Sequence, residues 1–208
     1  IFSMKETEKF SLVGGTNLAL RFGHRISEDL DLFSVEKFNE KELEIAIKEK
    51  FSDVKTMEGE EQRMLYYING IKTEFIRFKY PLMNKTEKWE GIKMDSLKDT
   101  IAGKLLAIVN RSTKKDYYDI HEFLKSKSME ELLGCYQKRY QQENTVPLVK
   151  ALTYFWNAER QDNPISLNNT TWENVKSNLR QSVNNYVREF EIKQKKEKSQ
   201  EKRMDLGM

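Results

Sequence analysis

Residues Phe10–Ser34 read FSLVGGTNLALRFGHRISEDLDLFS. An apolar run, Phe10-Ser11-Leu12-Val13, stops at the pair Gly14-Gly15, and a helical pattern follows through Leu18, Ala19, Leu20 and Phe22. A polar turn from His24 to Glu28 leads into the alternating segment Asp29-Leu30-Asp31-Leu32-Phe33. Strand residues two apart share a face, so Asp29 and Asp31 project together while Leu30 and Leu32 go to the other side. Two carboxylates side by side repel unless a cation lies between them, and hard oxygen ligands suit Mg²⁺. The Gly pair lies where a strand becomes a helix N-terminus. Free backbone N–H groups and the helix dipole favour phosphate there, and the missing side chains let it come close. A phosphate cradle beside metal-binding carboxylates is the minimal equipment for phosphoryl or nucleotidyl transfer.

At 208 residues the chain is long enough to bury a real core. Charged residues make up 33% and apolar ones 38%, a balance that fits a soluble, helix-rich protein. Lys and Arg total 36 against 33 acids, a net charge of only +3. Arg188 to Arg203, with seven basic and four acidic residues, carries that whole excess. Any nucleic-acid surface is therefore a local patch rather than a global field. The single cysteine, Cys135, excludes an internal disulfide and fits a reducing, cytoplasmic compartment. No apolar run approaches the roughly 20 residues of a membrane span, no signal peptide is visible, and His24 and His121 are too isolated to form a metal pair.

Downstream, Glu40 to Phe51 patterns as an amphipathic helix capped by Asn39. Asp53 to Glu58 is expected to be a short strand. Gln62 to Ile68 and Ile71 to Tyr80 flank Asn69-Gly70, a hairpin signal suited to a type I′ turn, and Pro81 ends the second strand. Helix follows. Ser96 with Asp99 resembles a capping box opening a helix through Asn110, along which Lys104 borders the apolar stripe. Asp116 and Asp119, three apart, share one helix face. Ser128 is expected to cap Met129 to Tyr140, Pro147 to begin a helix through Asn157, and Trp172 to Phe190 to form the last long helix. The aromatics Tyr136, Tyr140, Tyr154, Phe155, Trp156 and Trp172 stand at spacings more typical of core than of base-stacking platforms. The charged tail beyond Phe190 lacks apolar periodicity and is expected to be frayed helix or disordered.

An apolar-Gly-Gly pattern, thirteen residues, then Asp-apolar-Asp-apolar resembles the signature of the DNA polymerase beta-like nucleotidyltransferase superfamily. The fuller wording, LVGGTNLALRFGHRISEDLDLFS, is similar to its AbiEii/AbiGii-type branch, toxins of abortive-infection toxin–antitoxin systems. Lys104-Leu105-Leu106-Ala107 with Arg111 resembles that branch's K-L-x-A-x-x-x-R motif, and Lys115-Asp116 with Asp119 its K-D-x-x-D motif. The resemblance covers roughly Phe10 to Phe190. It implies an α+β fold of mixed α/β character: a nucleotidyltransferase-type domain over 1–93 with a small mixed sheet and flanking helices, a helical domain over 94–190, and a flexible tail over 191–208. Related chains carry further helix before the Gly pair, which implies sequence preceding Ile1.

The same resemblance implies roles. Asp29, Asp31 and Glu74, the last in the place of the superfamily's third acid, would hold two Mg²⁺ ions and form the catalytic set. Gly14, Gly15, Thr16, Arg25, Ser27 and Lys104 would hold the triphosphate of an NTP. Asp116 either positions Lys104 or accepts the acceptor's proton, or it merely caps and pairs with Lys114, Arg111 or Arg25; Asp119 is expected to be structural. The implied activity is Mg²⁺-dependent transfer of an NMP to an acceptor hydroxyl, with the 3′ end of a tRNA, or another RNA, as acceptor and a cognate antitoxin as partner. Two alternatives stand beside it. One is a protein-modifying nucleotidyltransferase; the other is a non-catalytic scaffold that binds nucleotide or antitoxin.

Overall fold

The computed structural model describes residues 1–57 and 59–205, with side chains through residue 200; Glu58, which ended the expected third strand, lies outside them. Seven strands form one mixed sheet: β1 (Ser11–Val13), β2 (Leu30–Ser34), β3 (Val54–Thr56), β4 (Arg63–Ile68), β5 (Ile71–Arg77), β6 (Glu87–Trp89) and β7 (Ile92–Met94). Their order is β3-β4-β5-β2-β1-β7-β6. The central strand β2 runs antiparallel to β1 and parallel to β5, and its register sets Asp31 beside Val13 on one side and Glu74 on the other.

Alternation along β2 and β5 then sorts the side chains. Leu32 and Phe75 join Phe10, Leu12, Leu43 and Ile47 in one buried cluster, covered by α2 (Glu40–Lys50). Asp31, Phe33, Glu74 and Ile76 point to the other face, into a cavity roofed by α3 (Leu97–Asn110). The β4–β5 hairpin turns as expected, with φ of +49° at Asn69 and +76° at Gly70, values a type I′ turn needs and glycine and asparagine tolerate. Asn39 caps α2 by accepting from Lys41 N and Glu42 N. Ser96 caps α3, but Asp99 does not complete the box. Its carboxylate instead accepts from Met83 N at 2.8 Å and Asn84 N at 3.2 Å, tying down the loop before β6.

The helical half comprises α3, α4 (Lys114–Phe123), α5 (Met129–Tyr140), α6 (Val146–Ala151), α7 (Trp156–Glu159) and α8 (Trp172–Asp205), around a core that includes Ile101, Leu105, Ile120, Phe123, Leu132 and Leu179. Leu18, from the helix α1 (Gly14–Phe22) that follows the Gly pair, also belongs to this core, so α1 links sheet and helices. Ser128 and Glu131 form a full capping box for α5.

Three expectations change. The short β6–β7 hairpin lies within a segment read as non-strand; a parallel bridge from Leu12 to Met94 secures it to the sheet. The helix expected over Pro147–Asn157 breaks after Ala151, where the Tyr117 hydroxyl sits 3.0 Å from the Ala151 carbonyl and 2.7 Å from the Tyr154 carbonyl, satisfying groups that helix would otherwise use. The last helix does not stop at Phe190. Its buried stripe ends at Val183, yet good helix formers and a Lys193–Glu130 contact of 2.8 Å carry it to Asp205.

Candidate active site

The Gly pair sits against both neighbours of the acidic strand. Gly14 has φ of +69°, and a Cβ there would lie 2.5 Å from Asp31 Oδ2. A Cβ on Gly15 would meet Arg25 Nη2 at 2.5 Å and Ser27 Oγ at 2.8 Å. Any side chain at either position would push apart the turn and the residues it faces. Thr16 locks the approach to β2: its hydroxyl bonds the Asp29 carbonyl and lies 3.0 Å from Ser27 Oγ. Asn17, with no exposed surface, spans from the Leu12 carbonyl (2.9 Å) to the Asp95 carbonyl (3.1 Å) and thereby ties the first turn of α1 to the start of α3.

Asp31 and Glu74 line the cavity together, along with Lys104, Arg111, Asp95, Asp99 and Arg139; its volume is about 270 Å³. Asp29 stands just before β2, outside the residues that line the cavity, half-exposed and with Lys115 Nζ 3.5 Å away. Glu74 Oε1 lies 3.4 Å from both Arg63 and Lys72. Burial pushes the Asp31 carboxyl above its usual value, Glu74 and Asp29 add to the rise, and Lys104 and Arg111 only partly oppose it. These acids therefore feel one another, and an all-oxygen donor set under mutual repulsion fits a hard divalent cation. Among the described residues, however, no three acids, histidines or cysteines are already gathered as a metal cage. The structure thus pairs Asp31 with Glu74 and leaves Asp29 on Lys115, where full convergence of all three was expected.

Behind the cavity wall lies a network that the sequence only hinted at. Asp119, with no exposed surface, accepts from Arg25 Nε (2.7 Å) and Nη2 (2.8 Å), from His24 Nε2 (2.7 Å) and from Lys104 Nζ (2.6 Å). Asp116, equally buried, accepts from Arg111 Nε and Nη2, both at 3.0 Å, from Lys104 Nζ at 3.1 Å, and from the Thr113 hydroxyl. Arg25, expected at the triphosphate, is 2% exposed and spends its fork on Asp119. Asp116 has no surface from which to reach an acceptor hydroxyl; the geometry accommodates both remaining expected roles, contact with Lys104 and pairing with Arg111. Burial opposes the charge on Lys104, yet Asp119 and Asp116 outweigh it and hold the ammonium above its ordinary value.

These acids predict the response to low pH. Burial pushes Asp116 up, but Lys104, Arg111 and Thr113 overcome it and lower the carboxyl to about 2; Lys104, His24 and Arg25 likewise hold Asp119 well below its usual value. A folded-state value below the unfolded one near 4 means stability fully present above that unfolded value and lost as pH falls toward 2. Urea unfolding free energy should therefore drop steeply between about pH 4 and pH 2. Asp116→Asn should flatten that drop. An equally steep loss in the variant would remove Asp116 from the account.

Of the aromatics expected in the core, Tyr136, Phe155 and Trp172 are buried and Tyr140 is half-buried, but Tyr154 and Trp156 are exposed. Among the described residues no helix is long and apolar enough to cross a membrane.

Comparison with known proteins agrees with this architecture. The profile of the family described as nucleotidyl transferase AbiEii toxin, type IV toxin–antitoxin system, matches residues 4–95 and 85–202. The uncharacterized protein aq_aa25 of Aquifex aeolicus (strain VF5) is 30% identical over 193 residues, 90% of this chain and 92% of that protein. MenT4, a nucleotidyltransferase toxin from Mycobacterium tuberculosis H37Rv, superposes with a TM-score of 0.57 at 14% identity, covering 86% of this chain and 76% of the other. JHP933 from Helicobacter pylori does so with a TM-score of 0.53 at 16% identity, covering 93% and 90%. At such identities the structural likeness speaks for the fold alone. The family match runs through both the sheet and the helices, and on that ground the chain belongs to the AbiEii family of nucleotidyltransferase toxins.

Proposed function

We propose that this toxin nucleotidyltransferase moves an NMP from an NTP to a hydroxyl of RNA, the 3′ end of a tRNA being the acceptor implied by its family, and that it works with Mg²⁺ and is restrained by a cognate antitoxin. One observation carries the reading of the site. Arg25 neutralises Asp119 and Arg111 neutralises Asp116, each through a two-point contact, so Lys104 is the surplus cation of the cluster, and it borders the cavity that holds Asp31 and Glu74. A surplus positive charge facing paired acids suits a metal-bound triphosphate that spans them.

In the reaction the acceptor oxygen forms a bond to the α-phosphorus, the bond from that phosphorus to pyrophosphate breaks, and the hydroxyl proton is given up to water. Asp31, Glu74 and Asp29 would hold the Mg²⁺, which when bound promotes ionisation of the acceptor hydroxyl and offsets charge on the departing pyrophosphate. Gly14 and Gly15 let Asp31, Arg25 and Ser27 close on the first turn of α1, whose free N–H groups would meet a phosphate. Lys104 holds the far phosphates; Arg25, Asp116 and Asp119 position Lys104 rather than touch substrate. The basic excess toward the end of α8 favours a polyanionic acceptor over a protein one.

Incubation with each of the four α-labelled NTPs, Mg²⁺, and either total RNA or total protein tests this. Label is expected in RNA. Label confined to protein would overturn the acceptor, and label in neither would overturn the reaction. Lys104→Met removes the surplus charge and its contacts to Asp119 and Asp116 but leaves two balanced arginine–aspartate pairs. It is therefore expected to fold while binding NTP at least tenfold more weakly, a loss of about 1.4 kcal/mol or more. Unchanged affinity would leave Lys104 a purely structural residue.

A further inference from the structure

The end of the cavity away from Lys104 has features that phosphate and metal do not use. Phe33 and Phe78 stack there, ring centroids 5.2 Å apart and planes at 26°, and Ile76 and Leu106 complete an apolar wall. Arg139, from the last turn of α5, lies over Phe78 at 5.3 Å and is only 5% exposed. Its charge is answered: Asp95 and Asp99 carboxylate oxygens stand 3.8 Å from its guanidinium. Its donors are not. At 3.8 Å neither acid accepts a hydrogen bond. Arg139 Nη1 donates to the Asp99 carbonyl, and among the described residues buried Nε has no partner. The acids cannot readily swing in to take it. Asp99 is held by Met83 N, Asn84 N and Ser96 Oγ, and Asp95 by Ser11 Oγ.

A buried donor left without an acceptor is unfavourable, and Arg139 lines the cavity beside two aromatic rings. A flat heterocycle bearing ring-nitrogen or carbonyl acceptors answers both features. It stacks on the aromatic wall and accepts from the guanidinium of Arg139, which lines the cavity; Nε itself has no accessible surface and is offered to the ring only when the side chain turns. Resting on the nucleotidyltransferase reading above, we infer that this end of the cavity is the base subsite of the incoming NTP, with Arg139 as the residue that discriminates among bases through its unspent N–H groups. Polarity runs correctly for such a ligand. The triphosphate lies toward Lys104 and the Gly pair, and the ring lies toward Phe33, two residues further along β2 than Asp31.

Calorimetric titration with Mg²⁺ and, in turn, ATP, GTP, CTP, UTP and ribose 5′-triphosphate tests the subsite in the wild-type chain. The best NTP is expected to bind roughly tenfold or more tighter than ribose 5′-triphosphate, and the four NTPs are expected to differ. Equal affinity for all five ligands would overturn the inference while leaving the transfer reaction standing. If no triphosphate binds at all, the reaction falls and the subsite with it.

Arg139→Lys keeps a cation near Asp95 and Asp99 but removes Nε and the planar fork. It should bring the preferred NTP down toward ribose 5′-triphosphate without changing affinity for the latter. A variant that keeps the full preference among NTPs would overturn Arg139's role. Should the variant fail to fold, the wild-type series alone decides.

Discussion

Asp119→Ala is expected to lower the unfolding free energy by about 3–5 kcal/mol, a large share of what a chain of this size has to lose. The reason lies in what remains. Arg25 and Lys104 are 2% and 4% exposed, and without Asp119 they share a dry interior with Asp116 as their nearest acid, while Asp116 already serves Arg111. His24 loses the partner of its Nε2 as well. Breaking a buried pair by deleting one member costs far more than the pair contributes net, because the surviving charge stays desolvated. Equilibrium urea unfolding measures the loss, provided the denaturant slope is unchanged from wild type. Asp119→Asn keeps an acceptor and should recover part of the stability. A loss below about 1 kcal/mol for Asp119→Ala would mean that the network is ornamental to folding.

Asp31→Asn should act in the opposite way on stability and far more severely on chemistry. If Asp31 holds Mg²⁺ as proposed, its loss costs several kcal/mol of transition-state stabilisation, so transfer should fall by about a thousandfold or more. Thermal stability without metal should hold or rise. Burial, Glu74 and Asp29 push the Asp31 carboxyl up, so above its folded-state value the ionised form weighs against the native state, and a neutral isostere relieves that penalty. Label transfer and melting temperature, read on the same preparation, separate the two effects. Near-full turnover would sink the assignment of Asp31. A sharply lower melting temperature would show instead that the side chain is needed for folding.

How much of this was legible before the structure depended on the range of the forces involved. The strand, Gly pair, helix and acidic strand of Phe10–Ser34 follow from local rules: period-two alternation, a turn that only glycine fits, and a helix that can bury one stripe. The hairpin at Asn69-Gly70 and the caps at Asn39, Ser96 and Ser128 follow for the same reason, since each signal lies within four residues of its effect. The β6–β7 hairpin did not. Its strands are three residues long, β6 is exposed throughout, and its anchor is Leu12, some eighty residues earlier in the chain. Nor did the break after Ala151, which depends on a tyrosine hydroxyl from α4.

The site divides along the same line. The residue types of catalysis, and the facing of Asp31 and Glu74 from adjacent strands, were readable from the sequence because alternation and a family resemblance both bear on them. What a charged side chain spends itself on was not readable, because that is decided by neighbours brought from far along the chain. Arg25 had the type and position of a phosphate ligand, yet folding lays it on Asp119, ninety-four residues away. Lys104 read as a residue beside an apolar stripe, and only the two buried acids of α4 turn it into a surplus cation at a cavity wall. Arg139 had no distinguishing signal at all. Sequence alone determined which chemistry this protein carries and the strands and helix that bear it; tertiary structure decided which charges are spent on one another and which remain for a substrate, because ion pairing in a dry interior is set by three-dimensional proximity and desolvation, neither of which has a sequence period.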